Sequence, residues 1–277
     1  MPLPTLLAPP LRSTLDPRSE SYAENRAAML EKLAEIDRLL DEAEAGGGAY
    51  HHERLAKRGK LPVRDSPFLE ISPLAAYNSS YTIGGGAVLG IGIIAGVECV
   101  IFANDPTVLG GALTPYVSKK WMRALEISRE NRMPYVSFVE SAGADLRMQS
   151  ATKSKDDSGG TAAGARVDHF AETGRFFYEM IELSKLEIPS VCVVFGSSTA
   201  GGAYQPGMSD YNIVIKEQSK IFLAGPPLVK MATGEESDDE SLGGAQMHAA
   251  RSGLADFLAE DELDAIRIGR AIVATFD

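Results

Sequence analysis

Cysteine and histidine are scarce in this chain, at two and four among 277 residues. Cys99 and Cys192 each sit inside an apolar, strand-like run. That placement excludes a disulfide framework and reads as two buried, reduced thiols of a cytoplasmic protein. No Cys or His pair stands at metal-ligand spacing, which excludes a structural zinc site. Positive charge is also short: Lys and Arg total 27 against 38 Asp and Glu, a formal net charge of -11. Nucleic acid is therefore excluded as a partner, because its phosphates need clustered Lys and Arg. No apolar run reaches the ~20 residues that cross a bilayer. The opening stretch MPLPTLLAPPLRSTLDP is broken by proline and holds one Arg, a pattern that suits neither a signal peptide nor a transit peptide. No GxxxxGK[ST] phosphate loop is present. The chain is nevertheless 44% hydrophobic, ample for a sizeable core.

Residues 1–18 read as a disordered or extended N-terminus and 19–277 as one α/β domain. Ser19 or Ser21 caps a helix reaching about Ala45, with Tyr22, Met29, Leu33, Ile36 and Leu40 on one face and Gly46-Gly47-Gly48 ending it. Residues 49–66 are polar and basic. Strands are expected at Tyr81–Ile83, Ala87–Ile94 and Val97–Ala103, with a hairpin turn at Ala95-Gly96. Gly90-Ile91-Gly92-Ile93-Ile94-Ala95 matches the letters of a dinucleotide fingerprint. A β-branched run comes after it instead of a helix N-terminus, so that reading fails. A glycine-bearing loop, 104–114, leads to a helix Val117–Asn131 with Trp121, Leu125 and Ile127 as core candidates. Residues 148–166 read as a long surface loop, with a helix His169–Leu186 after it. Strands Tyr211–Ile215 and Lys220–Ala224, a helix opened by Gly225-Pro226-Pro227, an acidic loop Thr233–Ser241 and a final helix Glu260–Ala274 complete the chain. Strands alternating with helices give the α/β class.

Two segments carry the chemistry. Strand Tyr135–Val139 runs into Glu140-Ser141-Ala142-Gly143-Ala144-Asp145-Leu146, and strand Ser190–Phe195 runs into Ser198-Thr199-Ala200-Gly201-Gly202-Ala203. Small residues at strand ends let a ligand approach bare backbone N–H groups. Such groups stabilise a developing anion, which points to enolate or acyl chemistry. His248 reads as a capping or packing histidine, and the acidic stretch 235–240 as solvated surface.

These segments resemble the carboxyltransferase (β) subunit of biotin-dependent acyl-CoA carboxylases, the methylcrotonoyl-CoA and propionyl-CoA carboxylase group. The resemblance rests on Gly96-Val97-Glu98-Cys99, Ala103–Val108, Gly110-Gly111-Ala112, Glu126-Ile127, Asn131-Arg132, Glu140–Ala144, Ser198–Tyr204, Ile221–Glu235, Leu242–Ala245, His248 and Ser252-Gly253. It covers about residues 14–275, patchily at 60–66 and 147–168. It implies a crotonase-like ββα superhelix and the first of two related halves, the half that binds the acyl-CoA. A C-terminal-type half would act in trans, and the assembly would be a homo- or hetero-oligomer. Lys230 lacks the Met that precedes the lysine of a biotin-attachment motif, so biotin is expected on a biotin carboxylase or biotin carrier partner subunit.

The resemblance also implies the reaction. Carboxybiotin releases its carboxyl group as CO2, biotin takes a proton from the carbon next to, or conjugated with, the thioester, and the resulting enolate attacks CO2. By resemblance Gly201 and Gly202 carry the oxyanion role. Ala142, Gly143 and Ala144 line the same pocket beside Ala200 and Ala203, and Gly110 and Gly111 shape the nearby loop. Losing one oxyanion donor costs about 2.7–4 kcal/mol in hydrolytic enzymes. Three departures stand out: the missing helical segment after Arg58-Gly59-Lys60-Leu61, Ala142 where relatives carry glycine, and the long polar stretch 147–168. Two other readings stay open. One is another crotonase-fold acyl-CoA enzyme such as a malonyl-type decarboxylase; Tyr204 and Gln205 occupy the region where a hydratase places its Glu. The other is a non-catalytic assembly subunit.

Overall fold

The computed structural model describes residues 16–60, 68–145 and 162–276. Expectations for residues 1–15, the segment 61–66, Leu146 and the loop up to residue 161 lie outside the described residues. The chain clusters into two units, 1–41 and 42–277.

The first unit holds most of helix α1, Glu20–Ala45. Ser19 Oγ accepts the Tyr22 N–H at 3.2 Å, so Ser19 is the cap. Met29, Leu33 and Ile36 on the apolar stripe of α1 are exposed.

The second unit is built on a mixed sheet in the order β1-β2-β3-β4-β5-β6-β8, with β7 paired to β5. After helix α2 (Ala49–Ala56) come β1 (Leu69–Glu70), β2 (Ala87–Ile94) and β3 (Val97–Asn104). The expected hairpin is present: Ala95 and Gly96 both have positive φ, 52° and 93°, the geometry of a tight two-residue turn. Tyr81–Ile83 is not a strand. Positive φ at Asn78, Gly84, Gly85 and Gly86 coils this stretch into successive turns. Helix α3 (Pro115–Asn131) starts at Thr114, whose Oγ1 accepts the Val117 N–H at 3.1 Å. Next in the chain are β4 (Tyr135–Ser141), α4 (Ala162–Lys185) and β5 (Ser190–Thr199). Residues 162–166 are thus helical rather than loop. After β5 come α5 (Tyr204–Met208), β6 (Tyr211–Ile215), β7 (Lys220–Phe222) and α6 (Pro226–Thr233). A short strand not expected from sequence, β8 (Phe257–Ala259), precedes α7 (Glu262–Val273).

Strands β3 to β6 run parallel and are covered on both faces, which explains their largely apolar sequences. On one face Leu89, Phe102 and Tyr135 pack against Trp121 and Leu125 of α3 and Phe176 and Met180 of α4. Trp121 stacks on Phe176 with ring centroids 4.3 Å apart. On the other face Val136, Val193 and Ile213 pack against Ala265, Ile272 and Val273 of α7. Both cysteines are buried free thiols, and burial pushes Cys99 up to about 11 and Cys192 up to about 12. Among the described residues no helix is long and apolar enough to cross a membrane.

Candidate active site

The parallel strands β3, β4 and β5 end side by side, and each delivers a glycine-bearing segment to the same edge. The first is Leu109-Gly110-Gly111, three consecutive residues with left-handed φ of 54°, 64° and 70°. Leu109 adopts this backbone at a cost of about 1–2 kcal/mol. Gly111 is obligatory, because a Cβ there would lie 2.0 Å from the Glu140 carbonyl oxygen.

The second segment is Ser141–Asp145. The Ala142 N–H donates to Gly110 O at 3.0 Å, and the Leu113 N–H donates to Gly143 O at 2.8 Å. These bonds stitch the second segment to the first. The Gly143 N–H donates to Ser141 Oγ at 3.2 Å, holding Gly143 at φ 88°. The isolated bridge Leu113–Ala144 uses the N–H and C=O of Leu113 and neither group of Ala144. Of the N–H groups in Ala142-Gly143-Ala144, only that of Ala144 has no partner among the described residues, and Ala144 is exposed.

The third segment is a 3₁₀ turn, Ala200–Ala203, with no side-chain cap. Its i→i+3 bonding leaves the N–H groups of Ala200 and Gly201 ahead of the first ring. Ala200 is left-handed at φ 51° although it is not glycine, a strained backbone at a strand end. A Cβ on Gly143 would lie 3.3 Å from Thr199 O and 3.4 Å from Ala200 Cβ, so the second and third segments are in contact. A Cβ on Gly201 would meet Leu113 Cδ1 at 3.1 Å. Gly202 is buried against Ser141, where a Cβ would meet Ser141 Cβ at 2.9 Å.

All nine residues singled out from sequence therefore meet in one wall. They divide by exposure. Gly110, Ala142 and Ala144 are exposed and Ala200 and Gly201 half-buried, whereas Gly111, Gly143, Gly202 and Ala203 are buried behind them. Gly201 and Gly202, neighbours in the chain, differ in place: Gly201 sits at the rim and Gly202 packs against Ser141 behind it.

Gln205 is fully buried, and its Oε1 accepts from Tyr135 OH at 3.5 Å. His248 is buried with Nε2 2.8 Å from Ile221 O and Nδ1 2.8 Å from Ser252 Oγ, a packing histidine as expected. Lys230 pairs with Glu236 at 2.7 Å on the surface. In the acidic stretch, Asp238 caps a short helix, Asp239–Gly243, and Asp239 pairs with Lys220 at 2.7 Å. A cavity of about 400 Å³ lies on the α7 face of the sheet, lined by Ile101, Val136, Phe138, Val193 and Phe195 with Lys60 and Glu140 among its polar residues. None of the glycines of the wall lines it, so it is a separate space.

Comparison with known proteins agrees with this architecture. A family model described as the carboxyl transferase domain matches residues 55–277. The "Probable biotin-dependent acyl-coenzyme A carboxylase beta2 subunit" of Mycobacterium tuberculosis (strain ATCC 25618 / H37Rv) is 54% identical over 273 residues, covering 95% of this chain and 48% of that protein. The biotin-dependent 3-methylcrotonyl-coenzyme A carboxylase beta1 subunit of the same organism is 43% identical over 255 residues, covering 88% of this chain and 46% of that protein. Among solved structures, the β subunit of P. aeruginosa geranyl-CoA carboxylase matches with a TM-score of 0.81 and 40% identity, over 97% of this chain and 49% of its own. The chain thus spans about half the length of these relatives. The crotonase-like fold expected from sequence is that of its structural neighbours. With a family model over most of its length and relatives above 40% identity, the chain belongs to the carboxyl transferase domain family.

Proposed function

We propose that this chain is the acyl-CoA-binding part of a biotin-dependent carboxyltransferase, and that its glycine wall holds the thioester oxygen as the substrate becomes an enolate. The observation that carries the reading is the division of backbone donors. In the second segment the Ala142 and Gly143 N–H groups are consumed within the wall, which leaves Ala144; in the third, Ala200 and Gly201 both stand ahead of the first ring at the half-exposed rim, and Gly201, with no Cβ, allows the closer approach. Ala144 and Gly201 are the two donors. Gly202 and Gly111 act behind them by permitting close backbone approach.

Removal of a proton from the carbon next to, or conjugated with, the thioester moves negative charge onto the thioester oxygen. Fixed amides aimed at that oxygen lower the barrier without needing to reorganise. A side-chain base in this wall is unnecessary, and the burial of Gln205 and His248 agrees with that. Carboxybiotin, carried by a partner subunit, would supply the carboxyl group, and the biotin freed by its loss would accept the substrate proton. The remainder of the acyl pocket comes from a second carboxyltransferase half supplied in trans, and the working form is an oligomer. Two buried thiols suit a reducing compartment such as the cytoplasm.

The test is an affinity pull-down of the tagged chain from its host with avidin detection of what it retains, then an acyl-CoA-dependent carboxylation assay over several acyl lengths. Co-purification of a biotinylated protein together with acyl-CoA carboxylation is the expected result. Absence of both biotin association and acyl-CoA binding overturns the reading.

A further inference from the structure

Strands β4 and β5 pair in regular parallel register from Tyr135–Ser190 to Val139–Val194, and pairing resumes only at Ser141–Ser198. One residue, Glu140, therefore stands opposite three: Phe195, Gly196 and Ser197. The same interval is where β5 changes partner. It pairs with β6 through Val194 and with β7 from Ser197 onward. A bulge of this kind bends a strand and re-aims the residues beyond it. Immediately beyond this bulge stand Ser141 on one strand and Ser198 on the other, the residues that launch the Ala144 and Gly201 turns.

From these positions we infer that Lys60 is a positioning residue that locks this bulge and thereby sets the spacing of the two donor turns, an inference that rests on reading those turns as the thioester wall. Lys60 Nζ donates to Glu140 Oε2 at 2.5 Å and to Phe195 O at 3.1 Å. One ammonium thus ties the lone β4 residue to a carbonyl inside the bulge of β5. Gln218 Nε2 gives the same carbonyl a second bond at 2.7 Å and also donates to Glu262 Oε1 at 2.7 Å, anchoring the bulge to α7. Gly196 makes room for the arrangement, because a Cβ there would lie 2.5 Å from the Glu140 carboxyl carbon. The pair is sheltered, with side-chain exposures of 10% and 20% for Lys60 and Glu140. Charge-assisted bonds at such a site are shorter and stronger than neutral ones, unlike exposed pairs, which contribute little.

Hydrogen–deuterium exchange on the purified chain tests the lock. Lys60→Met and Glu140→Gln are each expected to raise exchange in peptides covering 141–145 and 196–204 by about tenfold, with the β2–β3 hairpin unchanged. The double variant is expected to be no worse than either single one, because both remove the same interaction. Lys60→Arg keeps a donor and restores wild-type exchange. Glu140→Gln preserves shape, so it carries the test should Lys60→Met fail to fold. In the carboxylation assay with partner subunits, kcat falls on the order of 10–100-fold while KM stays within about twofold, the signature of misplaced reacting groups. Exchange at the two turns equal to wild type, or raised to the same degree in the hairpin, overturns the lock. Absence of acyl-CoA binding by the wild-type chain defeats the thioester reading instead, and leaves the exchange result to decide the lock.

Discussion

At Gly202 an added Cβ would lie 2.9 Å from Ser141 Cβ, in the fully buried seam between two strand ends. At Gly201 the nearest atom would be Leu113 Cδ1 at 3.1 Å, the end of a side chain that can turn aside. Neither glycine has a positive φ, so neither is required for its torsions; both matter through approach. Gly202→Ala is therefore expected to destabilise the chain by about 1–3 kcal/mol, the cost of forcing extra volume into a packed seam. Gly201→Ala is expected to cost under about 1 kcal/mol and to retain its backbone donor. Urea denaturation of both variants checks the order, and equal costs would contradict the division between rim and packing glycine. The sequence marks this pair as important but not how its members differ. Their roles depend on what Ser141 and Leu113, each more than fifty residues away in the chain, bring alongside.

Elements were legible where local signals agreed. The β-branched runs of β4, β5 and β6 identify buried strands, and Ala95-Gly96 identifies its hairpin, because each carries its cause in neighbouring residues. Tyr81–Ile83 misled because β propensity in three residues yields to three glycines with left-handed φ. Strand β8 escaped notice because three residues, two of them partly exposed, leave no period to read. Helix α7 was placed correctly, and its start has a pH dependence. Asp261 caps it by accepting the Asp264 N–H at 2.8 Å, and the Asp264 carboxylate accepts the Glu260 N–H at 3.1 Å in return. Asp264 is held below its ordinary value of 3.8, chiefly by its hydrogen bonds from Arg267 and then by the Glu260 N–H. A depressed carboxylate contributes stability that is present above the unfolded value and is lost as pH falls through the lower folded value. The first turn of α7 is thus expected to loosen below about pH 4. Carbon-detected NMR titration of Asp264 should show a midpoint under that of an unfolded Asp, and Asp264→Asn should abolish the transition. A midpoint at or above the unfolded value would contradict the assignment.

For the whole molecule, the candidate site was legible as a collection of residues and not as a set of bonds. Motif resemblance gathered all nine wall residues, but the stitching of Ala142 to Gly110 and of Leu113 to Gly143 fixes which donors stay open, and no spacing rule encodes it. Lys60 was visible only as one cation in a basic stretch, since its partners lie 80 and 135 residues away. The same scale sets the behaviour of the free chain. Helix α6 comes after β7, which pairs with the end of β5 beside the wall, and α6 buries none of its residues. Leu228 and Met231 are 53% and 77% exposed, with Leu223 at 60% just ahead of them. A cluster of large apolar side chains on a surface of net charge -11 is a site for association rather than for solvent. Light scattering is therefore expected to report a species heavier than the 29.6 kDa monomer. Leu228→Glu combined with Met231→Glu is expected to shift it toward the monomer while leaving the far-ultraviolet circular dichroism unchanged, because neither side chain belongs to the core. A wild-type chain that is monomeric at the same concentration would show that this face stays wet.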